Sequence, residues 1–379
     1  MRGRLGIAMA TLTLGLALGS ASALQVPTDV SPLASIQMID VQTGWAVTPL
    51  CGPCRPQVTS GLMLRTTNGG TQWNDITPAD SSGQKVDVPF FYAFDTHLAW
   101  VEETSMTTPI TEIFRTVDGG RVWKSISIRA MAVTSISFIN PRLGWFIAFE
   151  TALMGSEAAS IYKTTDGGET WIMVSSASPG GKAGLPFAGA KTSITFVNPT
   201  TGWVTVLAAP GPDEPYLYVS QDGGHAWRPQ HLPLPPQVTP HWEASPTPLK
   251  FFTPREGVFY TFFTLRDDSG RQTGRLSVLY VTRDGGTTWT YIAPVPLGYL
   301  AVADMNHAWS LNTGVLRATS DGGRRWTTLP PNPLLVDVNR LDFISPQVGW
   351  AIRQTHPFLL KTSDAGRTWA PVDYTILRQ

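Results

Sequence analysis

Cys51 and Cys54 are separated by Gly52-Pro53, a spacing that supports thiol–disulfide exchange when a thiolate of lowered pKa sits at a helix N-terminus. No helical pattern follows them, and they fall in a connection between two strand-like segments, so in an exported chain they are expected to form a local structural disulfide. In the proline-rich stretch from Pro229 to Pro248, His241, Trp242 and Glu243 stand side by side. A Trp flanked by a His and a Glu is the best candidate for contact with a ligand or partner; its plainer role is to seal the apolar underside of its own loop. Arg266, Asp267, Asp268 and Arg271 read as a mixed-charge hairpin tip. Arg266 and Arg271 join the candidate partner contacts, against the plainer reading of a solvated tip. The six histidines show no ligand spacing such as His-x-x-x-His, and neither a metal nor a cofactor is expected. Glycoside hydrolysis needs two carboxylates that converge in space, and no such pair stands out.

The whole-chain balance narrows the function classes. Of 379 residues, 28 are basic and 28 acidic, 42% are hydrophobic and 15% charged. This is the composition of a globular chain, and its neutrality lacks the electrostatic footprint of a nucleic-acid or anionic-membrane binder. Residues 1–23 follow the grammar of an export signal: Arg2 and Arg4, an apolar run from Leu5 to Leu18, and the small residues Ala21-Ser22-Ala23. The run is shorter than the ~20 apolar residues that span a bilayer. Cleavage after Ala23 therefore predicts a soluble, exported mature chain, residues 24–379, with 26 basic and 28 acidic residues.

The elements that position these residues announce themselves as a repeat. An eight-residue phrase, Ser/Thr-x-Asp/Asn-x-Gly-x-x-Trp, occurs seven times. Its third and last positions are Asn68 and Trp73, Asp118 and Trp123, Asp166 and Trp171, Asp222 and Trp227, Asp284 and Trp289, Asp321 and Trp326, and Asp364 and Trp369. In the seventh copy Ala365 replaces a Gly found in the others. Ahead of each copy lies Gly/Ala-Trp, at Trp45, Trp100, Trp145, Trp203, Trp309 and Trp350, with Gly257-Val258 in the fifth. Only Trp242, of 14 tryptophans, stands outside this grammar. In the third copy, Ser135–Ile139, Gly144–Phe149, Ser160–Thr164 and Trp171–Val174 alternate as four antiparallel strands. Phe90, Phe91 and Tyr92 read likewise as a first strand.

Seven such units predict an all-β, seven-bladed β-propeller of 28 strands, a single domain in which radial closure hides the sheet faces. In the repeated turn the Asp or Asn side chain bonds back to the turn, the glycines supply positive φ, and the Trp packs between blades. Closure of the ring is expected from packing of the first blade on the seventh, or from an added edge strand at Leu24–Val30 or Tyr374–Leu377. The longer connections fall on the face opposite the repeated turns, which marks that face as the binding surface.

The phrase resembles the Asp-box, or BNR, repeat of propellers. The cadence Phe138 to Ala148 followed by Lys163 to Trp171, seen again at Phe196 to Val206 and Phe343 to Ile352, resembles the photosystem II assembly and stability factor family over nearly all of the mature chain. That resemblance implies an exported, non-catalytic propeller that binds a newly made reaction-centre subunit, partly through an arginine-rich patch. In this chain Arg324-Arg325 lies within a repeated turn. Sialidases share the Asp box but look six-bladed and carry an Arg-Ile-Pro phrase absent here, and xyloglucan-cleaving relatives carry two propellers. The expectation is a monomeric scaffold for a protein partner, with neither nucleic acid nor stable membrane insertion. The alternative is a glycan-binding or glycoside-hydrolysing, sialidase-like propeller.

Overall fold

The computed structural model describes residues 33–49, 61–104, 109–153, 156–178, 184–207, 216–238, 241–292, 294–353 and 358–378. The export signal and the Cys51–Cys54 pair lie outside the described residues.

Seven antiparallel sheets succeed one another along the chain, each a four-strand meander from an inner to an outer strand. In the third, Ala132–Phe138, Gly144–Leu153, Ser156–Thr164 and Ile172–Ala177 follow the alternation in the sequence. The first turn of this blade closes because Asn140 Oδ1 accepts the N–H groups of Arg142 and Leu143, both at 2.9 Å. The inner strand of blade five is in two pieces, His241–Pro246 and Lys250–Phe251, both paired with Gly257–Arg266. Pro229–Pro248 is therefore not one loop, because six of its residues form a strand. The outer strands of blades four and six shrink to Arg228–Pro229 and Thr327–Thr328. Among the described residues the sole helical piece is the 3-10 turn Pro333–Leu335.

The core sits between blades. The Gly/Ala-Trp tryptophans are all buried, and four of them stack on an aromatic ring of the next inner strand. Ring centroids lie 3.9 Å apart for Trp100 and Phe138, 3.7 Å for Trp145 and Phe196, 5.1 Å for Trp203 and Phe251, and 3.6 Å for Trp309 and Phe343. The tryptophan that closes each repeated turn packs on the same cluster from the following blade, as Trp227 does beside Trp145 and Trp369 beside Trp309. Each aromatic side chain buried in these seams stabilises the ring by ~1.5–3 kcal/mol.

Closure uses both of the devices expected. Trp350 of blade seven packs with Trp73 of blade one, and its indole donates to Gly69 O at 3.3 Å. In addition, Thr375–Leu377 pairs in parallel with Gln72–Asp75, the outer strand of blade one, making a fifth strand there. Buried Tyr374 fixes this last segment among Leu33, Trp73 and Trp350.

Candidate functional site

The seven repeated turns share one hydrogen-bond pattern. In the third, Thr164 Oγ1 donates to Asp166 Oδ1 at 2.7 Å and accepts from Gly168 N at 2.8 Å. Asp166 also accepts the N–H groups of Glu169 and Thr170, each at 3.0 Å, and the Thr170 hydroxyl at 2.5 Å. Burial pushes the Asp166 carboxyl up, but these donors outweigh it and hold the group well below the ordinary carboxylate range. The stability it confers is therefore present above the usual carboxylate range and is lost as pH falls. Consecutive glycines in the turn sit at φ 83° and 92°, a region that costs other residues ~1–2 kcal/mol. The Gly167 N–H reaches back to Arg142 O at 2.8 Å, tying the turn to the connection between the first two strands on the same face. These carboxylates are spent on their own turns.

A second ring lies at the channel. Gln37, Tyr92, Ser137, Thr195, Lys250, Ala301 and Asp342 occupy one repeated position on the inner strands, two residues before the strand-closing turn bond. Gln37 Nε2 donates to Ala93 O at 2.9 Å, and Tyr92 OH accepts from Phe138 N at 3.4 Å. Ser137 Oγ accepts from Phe196 N at 3.0 Å, and Thr195 Oγ1 donates to Leu249 O at 3.2 Å. Lys250 Nζ donates to Val302 O at 2.6 Å, and Asp342 Oδ2 accepts from Met38 N at 2.7 Å. Each bond crosses to the next blade, so six seams are stitched around the channel and blade six, with Ala301, supplies none of these stitches. Burial pushes the Lys250 ammonium down, opposed by the charges of Asp342 and Asp304. Burial likewise pushes the Asp342 carboxyl up to about 6, opposed by the Met38 N–H and by Lys250.

The sequence-derived candidates gather on blade five, on the face opposite the repeated turns. His241, Trp242 and Glu243 pair in register with Arg266, Leu265 and Thr264. Glu243 grips Arg266 through two bonds of 3.1 Å, from Nε to Oε1 and from Nη2 to Oε2. His241 Nε2 lies 3.3 Å from Asp268 Oδ1, and Arg271 Nε donates to Asp267 Oδ2 at 3.3 Å across the hairpin tip. Trp242 is only 3% exposed. Its ring meets Tyr216 and Phe263 edge-on at 5.7 and 5.4 Å, which makes it an anchor under the hairpin, not a contact offered to solvent. Phe90, Phe91 and Tyr92 lie on the inner strand of blade two, where Tyr92 stacks on Phe138 at 6.1 Å.

Two features escaped the sequence reading. One is the channel ring, whose members share a position but not a residue type. The other is the seam after blade five, where the signal was present: Gly257-Val258 is the one place where the paired Trp is missing. Elsewhere, cross-strand neighbours Glu103 and Glu112 put two carboxylates on blade two, and burial, then the Glu112 charge, pushes Glu103 up.

Fold and site together define a seven-bladed β-propeller with a channel-lining polar ring and one extended hairpin. No protein-family model matches the sequence, and no curated protein does. Among solved structures, that of YCF48 bound to D1 peptide is similar over 89% of this chain and 95% of its own, at 16% identity and a TM-score of 0.54. The GH74 xyloglucanase of Xanthomonas campestris matches at 14% identity and a TM-score of 0.54, over 92% of this chain and 54% of its own. A prolyl endopeptidase structure matches at 11% identity and a TM-score of 0.57, over 91% of this chain and 49% of its own. At these identities the likeness is one of fold.

Proposed function

We propose that this chain is an exported, non-catalytic propeller scaffold, monomeric and made as residues 24–379 after loss of a leader, which holds a protein or peptide partner at blade five. The repeated turns are taken as Asp boxes with a structural role, and Cys51 and Cys54 as a local disulfide. The observation that carries the reading is the blade-five hairpin. Its strands Gly257–Arg266 and Gln272–Thr282 run 10 and 11 residues, longer together than any other pair described. Its charged end is held by the Glu243–Arg266 fork over an aromatic anchor of Trp242, Tyr216 and Phe263. A rigid outcrop of alternating charge on a fixed scaffold suits recognition of a polar partner segment. That YCF48, a propeller of this shape, carries a D1 peptide makes an assembly-factor-like role the natural version of this reading.

Affinity capture with the mature chain from its own envelope fraction, beside an Arg266→Ala/Arg271→Ala variant, tests it. Specific proteins retained by the parent and lost with the variant are expected; an unchanged set would overturn the role of blade five. The second reading, a glycan-binding or glycan-cleaving propeller, is favoured by the cross-strand Glu103–Glu112 pair, in which burial pushes the Glu103 carboxyl up, since glycoside hydrolysis uses two neighbouring carboxyl groups of which one serves as the acid. Hydrolysis of an oligosaccharide panel that disappears in Glu103→Gln would establish it.

A further inference from the structure

The inner strand of blade six departs from the repeat on both of its sides, at two positions of the seam with blade five and at one of the seam with blade seven. Val258 stands where other blades carry the buried Trp, and Val302 where four inner strands carry the aromatic ring it stacks on. Ala301, on the side of the strand that faces blade seven, stands where the other blades carry the side chain that stitches to the next blade, while the seam with blade five keeps its stitch through Lys250. Two isopropyl groups thus stand where other seams hold an indole and a phenyl ring, and a cavity of about 350 Å³ is lined by Val258 and Val302 there. Its walls include Phe259, Leu279 and Leu300, with Lys250 on one side of Ala301 and Asp342 on the other. Among the described residues no ion pair joins Lys250 to Asp342, although each feels the other's charge. Opposite charges are thus held apart across an apolar floor.

We propose that this cavity is a binding site for a small zwitterion with an apolar body, whose carboxylate meets Lys250, whose ammonium meets Asp342, and whose apolar part fills the space left by Val258 and Val302. The volume falls in the ~300–1,000 Å³ range of small-molecule sites. A ligand with one charge satisfies one wall and leaves its own charge beside a like one on the other, which is costly in a partly enclosed, apolar setting. A zwitterion pairs with both. A free α-amino acid and a methylated zwitterion share this chemistry; only the former has ammonium N–H groups to donate to Asp342.

Calorimetric titration of the full mature chain with L-leucine, hexanoate, hexylamine and glycine betaine tests the site. L-Leucine is expected to bind saturably, with hexanoate and hexylamine at least roughly tenfold weaker, a difference of ~1.4 kcal/mol. Leucine tighter than betaine assigns free amino acids, the reverse assigns methylated zwitterions, and either order upholds the site. Val258→Trp restores the seam residue of the other blades and should abolish binding without lowering the melting temperature. Ala301→Leu serves the same end should the indole not be accommodated, and Lys250→Met should weaken binding roughly tenfold. Equal binding of the zwitterions and the single-charge ligands, no saturation by either zwitterion, or undiminished binding in a folded cavity-filling variant would overturn it.

Discussion

At the seam between blades six and seven, Trp309 and Phe343 stack with ring centroids 3.6 Å apart and planes 4° from parallel, and the Trp309 indole donates to Ala365 O at 2.8 Å. One seam earlier, Val258 and Val302 hold the same two positions and a cavity lies beside them. Both seams are crossed by the same backbone course, and the repeated turns next to them, around Asp321 and Asp364, make the same carboxylate bonds. The ring therefore does not need all of its seams packed to one pattern. Once six interfaces fix the blade angle, the seventh is free to give up volume. A repeat architecture can hold function at a place where its own rule is suspended, because the neighbouring units supply the rigidity that the exception lacks.

The largest expected effect separates the seams directly. Trp309→Ala should cost ~3–5 kcal/mol as a deep truncation, whereas Val258→Ala, beside space that already exists, should cost about 1–2 kcal/mol. Urea midpoints of the two variants check this, and equal losses would mean that the seams carry equal weight. A smaller effect sharpens the electrostatic side of the comparison. Asp342 has a folded-state pKa raised to about 6 by burial, above its unfolded value, so its contribution to stability falls as pH rises from about 4 through 6. Asp342→Asn, which keeps an oxygen for the Met38 N–H, should gain on the parent across that window, by on the order of 1–2 kcal/mol at pH 7. Melting curves at pH 4 and pH 7 read the difference, and a constant offset would show that the carboxyl does not titrate there. The smallest effect belongs to Ala365, a residue at φ 64° in a turn where the other copies have Gly. Ala365→Gly should relieve left-handed strain and stabilise the intact seam by up to ~1 kcal/mol, visible as a small rise in melting temperature.

The blade count and the repeated turns were legible because they rest on local chemistry. An Asp two residues after a Ser or Thr, a glycine pair and a Trp are all that one turn needs, and they recur in phase. Strand positions were legible for the same reason where apolar alternation ran long, as at Gly144–Phe149, although that strand runs on to Leu153 and its neighbours' ends shift by one to four residues. Trp242 was misplaced because Pro229–Pro248 has the composition of a loop, while its partner strand Gly257–Arg266 supplies the pairing from further along the chain. The Lys250–Asp342 arrangement was invisible for a deeper reason. These residues lie on different blades, and their relation exists only once the ring is closed. Glu243 and Arg266 illustrate the intermediate case: each was picked out singly, yet the fork between them depends on strand register.

The parallel pairing of Thr375–Leu377 with Gln72–Asp75 also sets the order of events when the chain is made. Some 300 residues separate the partners, so the first blade must wait, with its outer edge bare, until six further blades have emerged. Contacts of such long separation form late and slowly. During that interval the bare edge accepts the tail of any copy at hand, and crowding of unfinished chains would link them tail to edge, as exchanged dimers or open strings, instead of closed single rings.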